Sequence, residues 1–199
     1  MMLMSEAISR RIERKTRQRA ANRTSILEAA KRVALREGTG ALSLRAVAAE
    51  AGYAPASVYE YFRNRGEMVL ALAADDFASA SRALRESDRR SLAEAAQTTL
   101  DVVRQSGALA AAASVLEAGE APPEAERLFN GKLIAMLTGL ADASGSPRAT
   151  RGEQADVVLA GALIAGLALL GRTGRAKALG FEERELLERF QARLEPKLP

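Results

Sequence analysis

The 199-residue chain contains no cysteine, no histidine and no tryptophan. Without cysteine there is no disulfide framework and no thiolate metal site. Without histidine the most frequent metal ligand and general base are gone, and so is every nucleophile system of the Ser/His or Cys/His kind. Carboxylates and lysines remain, so an enzyme has the least support and no metal or cofactor is expected. The adjacent acids Asp75 and Asp76 hint at carboxylate chemistry, but neighbouring residues on a helix point different ways. Aromatics make up only 4% of the chain. β-branched residues are also sparse, while alanine and leucine dominate, which favours helices over strands. The longest apolar run, Val157 to Gly171, is bounded by Asp156 and Arg172 and falls short of the ~20 residues of a membrane-spanning helix. The segment Ser5 to Arg23 is charged throughout, unlike a signal peptide. These absences lead to the expectation of a soluble, cytoplasmic, all-α protein.

What is present is unevenly placed. The formal net charge is +4. Residues 1–66 hold 13 Lys/Arg against 6 Asp/Glu, whereas residues 67–199 hold 16 against 19. A positive N-terminal third is suited to phosphates, and the remainder has no electrostatic reason to approach them. Within that third, residues 1–22 read as a basic, flexible arm carrying Arg10, Arg11, Arg14, Lys15, Arg17 and Arg19. Two readings stay open for it: a solvated terminus, or an arm that tracks phosphates or enters a minor groove.

Residues 42–67 are the most informative stretch. A first helix is expected from near Thr24, with Ser25 and Glu28 at capping-box spacing and Ile26, Ala30, Val33 and Ala34 on one face. Gly38 and Gly40 end it. Ser43 has the chemistry of an N-cap for a second helix, with Leu42 and Val47 placed as a hydrophobic staple. Leu44, Val47, Ala48 and Ala51 form its packing stripe. Gly52 suits a left-handed stop, and Pro55 suits the first turn of a third helix. In that helix Val58 and Phe62 point inward. Ala56, Ser57, Glu60 and Arg63 point outward, flanked by Tyr59 and Tyr61. Arg63 to Gly66 breaks the pattern, and Glu67 is expected to open a long helix to about Arg85. Two helices about a glycine turn, the second polar and aromatic outside, form a helix-turn-helix, which places a helix in the major groove of DNA.

These residues carry a resemblance. Ile26-Leu-Glu-Ala-Ala30, Ser43-Leu-Arg-Ala-Val-Ala48, Ala51-Gly52, Ser57-Val-Tyr59, Tyr61-Phe62 and Asn64-Arg65 resemble the N-terminal DNA-binding domain of TetR-family transcriptional regulators. The resemblance implies roles position by position. Ser43 would cap the second helix and touch a phosphate. Arg45 would reach a base edge or the backbone. Pro55, Ala56 and Ser57 would open the recognition helix, where base contacts gather. Tyr59 would bind phosphate, Tyr61 would sit at the groove edge, and Arg65 would replace a phosphate-binding lysine. Two positions depart from the family pattern. Ala54 stands where a capping Ser or Thr is frequent. Glu60 puts a negative charge outward, either solvated or paired with Arg63 or Asn64, or accepting from cytosine N4.

Beyond residue 67 the chain alternates apolar helices with short breaks, about nine helices in all. The expected organisation is an N-terminal three-helix helix-turn-helix domain (23–66), then an antiparallel helical bundle (67–199). The resemblance implies that this bundle binds a small-molecule effector and forms a homodimer through helices near 153–171 and 182–194. The helix near 153–171 is apolar all round, as a helix buried by both its own core and a partner would be. Effector identity and its binding residues stay unknown. Asp101, Arg104, Gln105, Glu117, Asn130, Thr138 and Asp142 are candidate polar hooks. The implied function is a ligand-responsive repressor that binds a palindromic operator in double-stranded DNA as a dimer. The alternative is a constitutive DNA-binding protein with no small-molecule switch.

Overall fold

No glycine or proline interrupts the chain between Met2 and Glu37, and one helix, α1, spans Met2–Glu37. The computed structural model describes residues 2–86, 91–105, 107–145 and 148–194. The continuity of α1 corrects the expected start near Thr24: Ser25 lies in mid-helix and caps nothing. The reason is local. The segment before Thr24 is rich in good helix formers, and side chains pair along it at helical spacing. Arg17 meets Glu13 at 3.7 Å, and Gln18 Nε2 donates to Asn22 Oδ1 at 2.8 Å.

Downstream the α1 stripe Ile26, Ala30, Val33 and Ala34 is buried, as its spacing predicts, and Ala29 joins it. A 3-10 turn at Thr39–Ala41 leads to α2 (Leu44–Ala51), with Ser43 Oγ accepting from the backbone N–H of Ala46 at 3.1 Å. The proposed staple residues Leu42 and Val47 are both buried. Gly52 ends α2 at φ 72°, a conformation that costs little only for glycine. The next helix, α3, is short: Pro55–Tyr59. Tyr61 and Phe62 follow it rather than extend it, and α4 begins at Arg65 instead of Glu67. Asn64 is the cause. Its Oδ1 accepts from the N–H of Glu67 at 2.8 Å, while the Glu67 carboxylate accepts from the N–H of Arg63 at 2.8 Å. Such reciprocal caps fix a helix start, so Arg65 and Gly66 become its first turn.

Helix α4 (Arg65–Arg85) is the axis of the molecule. From Met68 to Ala74 every residue is buried, and Phe77, Ala80 and Leu84 continue the core. It packs on α1 of the head and on α5 (Leu92–Val103), α6 (Ala108–Ala118) and α7 (Pro123–Ser144) of the body, with α7 its most extensive neighbour. The remaining elements are α8 (Arg151–Arg172), the single turn α9 (Arg175–Ala178) and α10 (Glu183–Leu194). The described residues thus form an all-α fold of ten helices, the extra one being a turn inside the expected connection between Gly171 and Gly180. Capping boxes start α5 (Ser91 with Glu94) and α8 (Thr150 with Glu153). The second places the start of α8 two residues before the expected Glu153.

With 22 residues, α8 is long and apolar enough to cross a membrane by length and composition, which its central apolar run alone did not suggest. In this fold its Val157, Ala160, Ile164, Leu167 and Ala168 are buried in the bundle. A single core then runs from Ile26 in the head, through α4, to Leu187 in α10.

Phe62 is fully buried where the chain passes from α3 to α4. Phe62→Ala is expected to cost about 3–5 kcal/mol of stability, read as a lowered urea midpoint.

Candidate nucleic-acid interface

The α2–α3 unit is held from behind by charges. Glu50 of α2 accepts from Arg32 Nε at 2.8 Å and from Arg36 Nη1 at 3.0 Å, both on α1. Those two hydrogen bonds hold its carboxyl below the usual carboxylate range. Asp76 of α4, almost wholly buried, lies 3.5 Å from Lys31 Nζ of α1. Arg23 stacks over the Phe62 ring at 4.8 Å, and its burial lowers its pKa against the opposing attraction of Glu67 and Asp75.

The opposite face is open. Ser43 and Arg45 of α2, and Pro55, Ala56, Tyr59 and Glu60 around α3, are exposed, with Ser57 half-buried between them. Tyr59 keeps 57% of its surface, far more than packing would leave a tyrosine. Ser43 combines its cap with an outward position, as expected. Ala54 makes no side-chain cap to α3, and Pro55 occupies the first turn. Among the described residues, the Glu60 carboxylate has no ion-pair partner, so the pairing with Arg63 or Asn64 is not formed. Arg63 lies instead 3.9 Å from Glu124 of α7, and Asn64 Nδ2 donates to the carbonyl of Glu120 at 2.8 Å.

Two expected site residues have internal partners. Arg65 donates from Nε to the carbonyl of Leu42 at 3.1 Å and from Nη2 to that of Thr39 at 3.0 Å. It thereby locks the turn that presents Ser43, and three of its five N–H donors are left for other acceptors. Tyr61 is half-buried rather than at an open edge: its hydroxyl accepts from Asn22 Nδ2 at 3.0 Å, and the Arg19 guanidinium lies 5.3 Å from its ring centroid. Arg19 also donates from Nη2 to the carbonyl of Glu60 at 2.9 Å. Sequence reading did not connect Arg19 and Asn22 to the site. Their three-residue spacing, which puts both on one helix face, was the available signal.

A second feature lies in the body. Phe77, Val103, Leu109, Phe129, Met136 and Val158, from α4, α5, α6, α7 and α8, are among the residues that line a cavity of about 240 Å³, with Ala162 and other residues of α7 and α8. The Phe77 and Phe129 rings sit 5.4 Å apart. None of the seven candidate polar hooks borders it. Asp101 pairs with Arg104 at 2.8 Å, Arg104 with Glu183 at 2.7 Å, and Asp142 with Arg148 at 2.6 Å.

Residues 26–72 match the family model described as bacterial regulatory proteins, tetR family. A sequence search of curated proteins returns no significant match. Among solved structures, a TetR transcriptional regulator from Rhodococcus sp. RHA1 superposes with a TM-score of 0.67 at 19% identity, covering 92% of this chain and 100% of that one. A TetR-family transcriptional regulator from Streptomyces coelicolor gives 0.59 at 24% identity, covering 87% and 99%. The fatty acid degradation regulator FadR from Bacillus halodurans gives 0.51 at 15% identity, covering 88% and 95%.

The Arg65 fork yields a direct test. Arg65→Ala is expected to lower stability by about 2 kcal/mol, in line with hydrogen bonds from a charged donor. Arg65→Lys is expected not to restore it, because an ammonium lacks the planar fork that spans two carbonyls. Thermal melts of both variants check this.

Proposed function

We propose that this chain, a TetR-family transcriptional regulator by its head and its fold, acts as a cytoplasmic homodimeric repressor released by a small apolar effector. The observation that carries the reading is the open face of α2 and α3, where Ser43, Arg45, Pro55, Ala56, Ser57 and Tyr59 stand exposed or half-exposed on the cationic end of the chain. Ser43, Arg45 and Tyr59 supply donors for phosphates. The small side chains at the start of α3 let its backbone approach base edges, and Arg65 holds Ser43 in place while keeping donors for a phosphate of its own.

A dimer is supported by the outer face of α8. Ala155, Val158, Leu159, Ala162, Gly166 and Leu169 fall at helical spacing and are all exposed in the single chain. Val158, Leu159 and Leu169 each keep more than half of their surface. A stripe of that kind asks to be covered, and a two-fold copy would also give the pairing that a palindromic operator needs. The outward side chains of α10 include Arg184, Glu185, Glu188 and Arg189, which suit the rim of an interface rather than its centre.

Effector control is supported by the neighbours of the cavity. Phe77 borders it, and the residue before, Asp76, meets Lys31 of the head. A ligand that prefers a shifted α4 would therefore move the head, and only that preference changes operator occupancy. The apolar lining favours an uncharged, hydrophobic effector.

Leu159→Glu is expected to turn a dimer into a monomer in sedimentation velocity; an unchanged dimer would remove α8 from the interface. In footprinting at low salt, a symmetric site selected from random duplexes is expected to be protected, and failure to protect any site sinks the repressor reading. Screening apolar compounds by thermal shift is expected to find one that also releases DNA. A screen whose binders never release DNA would favour constitutive binding.

A further inference from the structure

Between Ser9 and Ala21, α1 has no core to pack on. Residues 9–21 are all exposed, yet they continue the helix without a break. This extension is not loosely attached, because it is fastened to the end of α3 at two points: Arg19 to the carbonyl of Glu60 and Asn22 to the hydroxyl of Tyr61. The helix therefore leaves the head beside the recognition element, in a direction set by that element.

Helical periodicity continues the fastened face outward. Positions 11, 15, 18 and 22 recur at intervals of three and four residues, so Arg11, Lys15 and Gln18 lie in one row with Asn22. Arg14 is one turn from both Arg10 and Gln18, on the flank of that row. Among the described residues Arg11, Arg14 and Lys15 have no ion-pair partner, whereas Arg17 is engaged by Glu13. From Arg10 to Arg19 the helix covers about 14 Å at 1.5 Å per residue, the axial span of roughly four phosphates of one strand. A cationic rod that long would repel itself and serve no packing purpose. Its charges and its attachment point both fit a polyanion lying past the end of α3.

We propose that the α1 extension is a second DNA-binding element: a preformed helix whose Arg11, Arg14 and Lys15 contact backbone phosphates flanking the major-groove site. It widens the footprint and supplies sequence-independent affinity. This rests on the reading that α2 and α3 face DNA. Of the two readings of residues 1–22, the continuous helix from Met2 supports the phosphate-tracking one.

The test uses the full chain and the triple variant Arg11→Gln/Arg14→Gln/Lys15→Gln, with a duplex selected by the wild type. Three lost phosphate contacts per subunit, six in the dimer, are expected to reduce the slope of log K against log salt by about 5.4. Hydroxyl-radical protection should disappear at the flanks and persist at the centre. Circular dichroism and the melting temperature check that the variant stays folded, and Glu13→Gln, which frees Arg17, should shift affinity the other way. An unchanged slope and an unchanged footprint, with wild-type DNA binding intact, overturn this inference alone. Failure of the wild type to bind any duplex overturns the underlying reading as well. A triple variant that keeps its DNA slope but loses binding to phosphatidylglycerol vesicles assigns the rod to a membrane and also overturns the proposal.

Discussion

Helix α4 joins the head to the body, because one helix has to satisfy two partners at once. From Met68 to Ala74 every residue is buried, so the helix cannot shift relative to the body without opening the core on one side or the head on the other. Close-packed interiors deform little, and a displacement on one face is passed to the other. The helix is also tied at its start. Asn64 caps it and binds the carbonyl of Glu120, and a side chain at Gly66 would come within 3.0 Å of that same oxygen. The head is thus joined to the body by covalent continuity, by packing and by a polar seam between α4 and the α6–α7 connection.

The head itself is economical. A helix of five residues such as α3 cannot hold its position through its own hydrogen bonds, since short helices are marginal without tertiary support. Its orientation is imposed from outside. Val58 and Phe62 anchor it from below, Arg65 fixes the turn ahead of α2, Glu50 ties α2 to α1, and Arg19 closes the far end. These arrangements leave the outward face free of structural duties, so its residue types can be set by what they bind. Glu60 shows this separation: its carbonyl is structural, accepting from Arg19, while its carboxylate has no ion-pair partner among the described residues.

In the body, the apolar cavity and the apolar stripe of α8 are neighbours rather than separate features. Val158 and Ala162 belong to both, and Gly161 permits the close approach of Leu137 at their boundary. Covering the stripe with a second subunit, as proposed, would also close the cavity, so assembly and ligand enclosure would draw on the same side chains. The charged pairs Arg104–Glu183 and Asp142–Arg148 lie on the bundle's surface, where they direct packing partners more than they add stability.

Much of this was legible in the sequence. The all-α class, the Ser43 cap, the Gly52 stop, the Pro55 start and the buried faces of α1 and α2 follow from periodicity and local backbone chemistry, which act within a few residues. The boundaries that moved did so for local reasons that were misjudged: Asn64 outcompeted the expected pause before Glu67, and nothing before Thr24 was able to stop α1. Side-chain destinations were another matter. Arg65, Tyr61 and Arg19 carry groups that serve equally well as DNA contacts or as internal clamps. The sequence determined which residues could donate, cap or bury. Only the tertiary structure decided which carbonyls came within about 3 Å of those donors and which ring came within 5.3 Å, because that depends on segments tens of residues apart meeting.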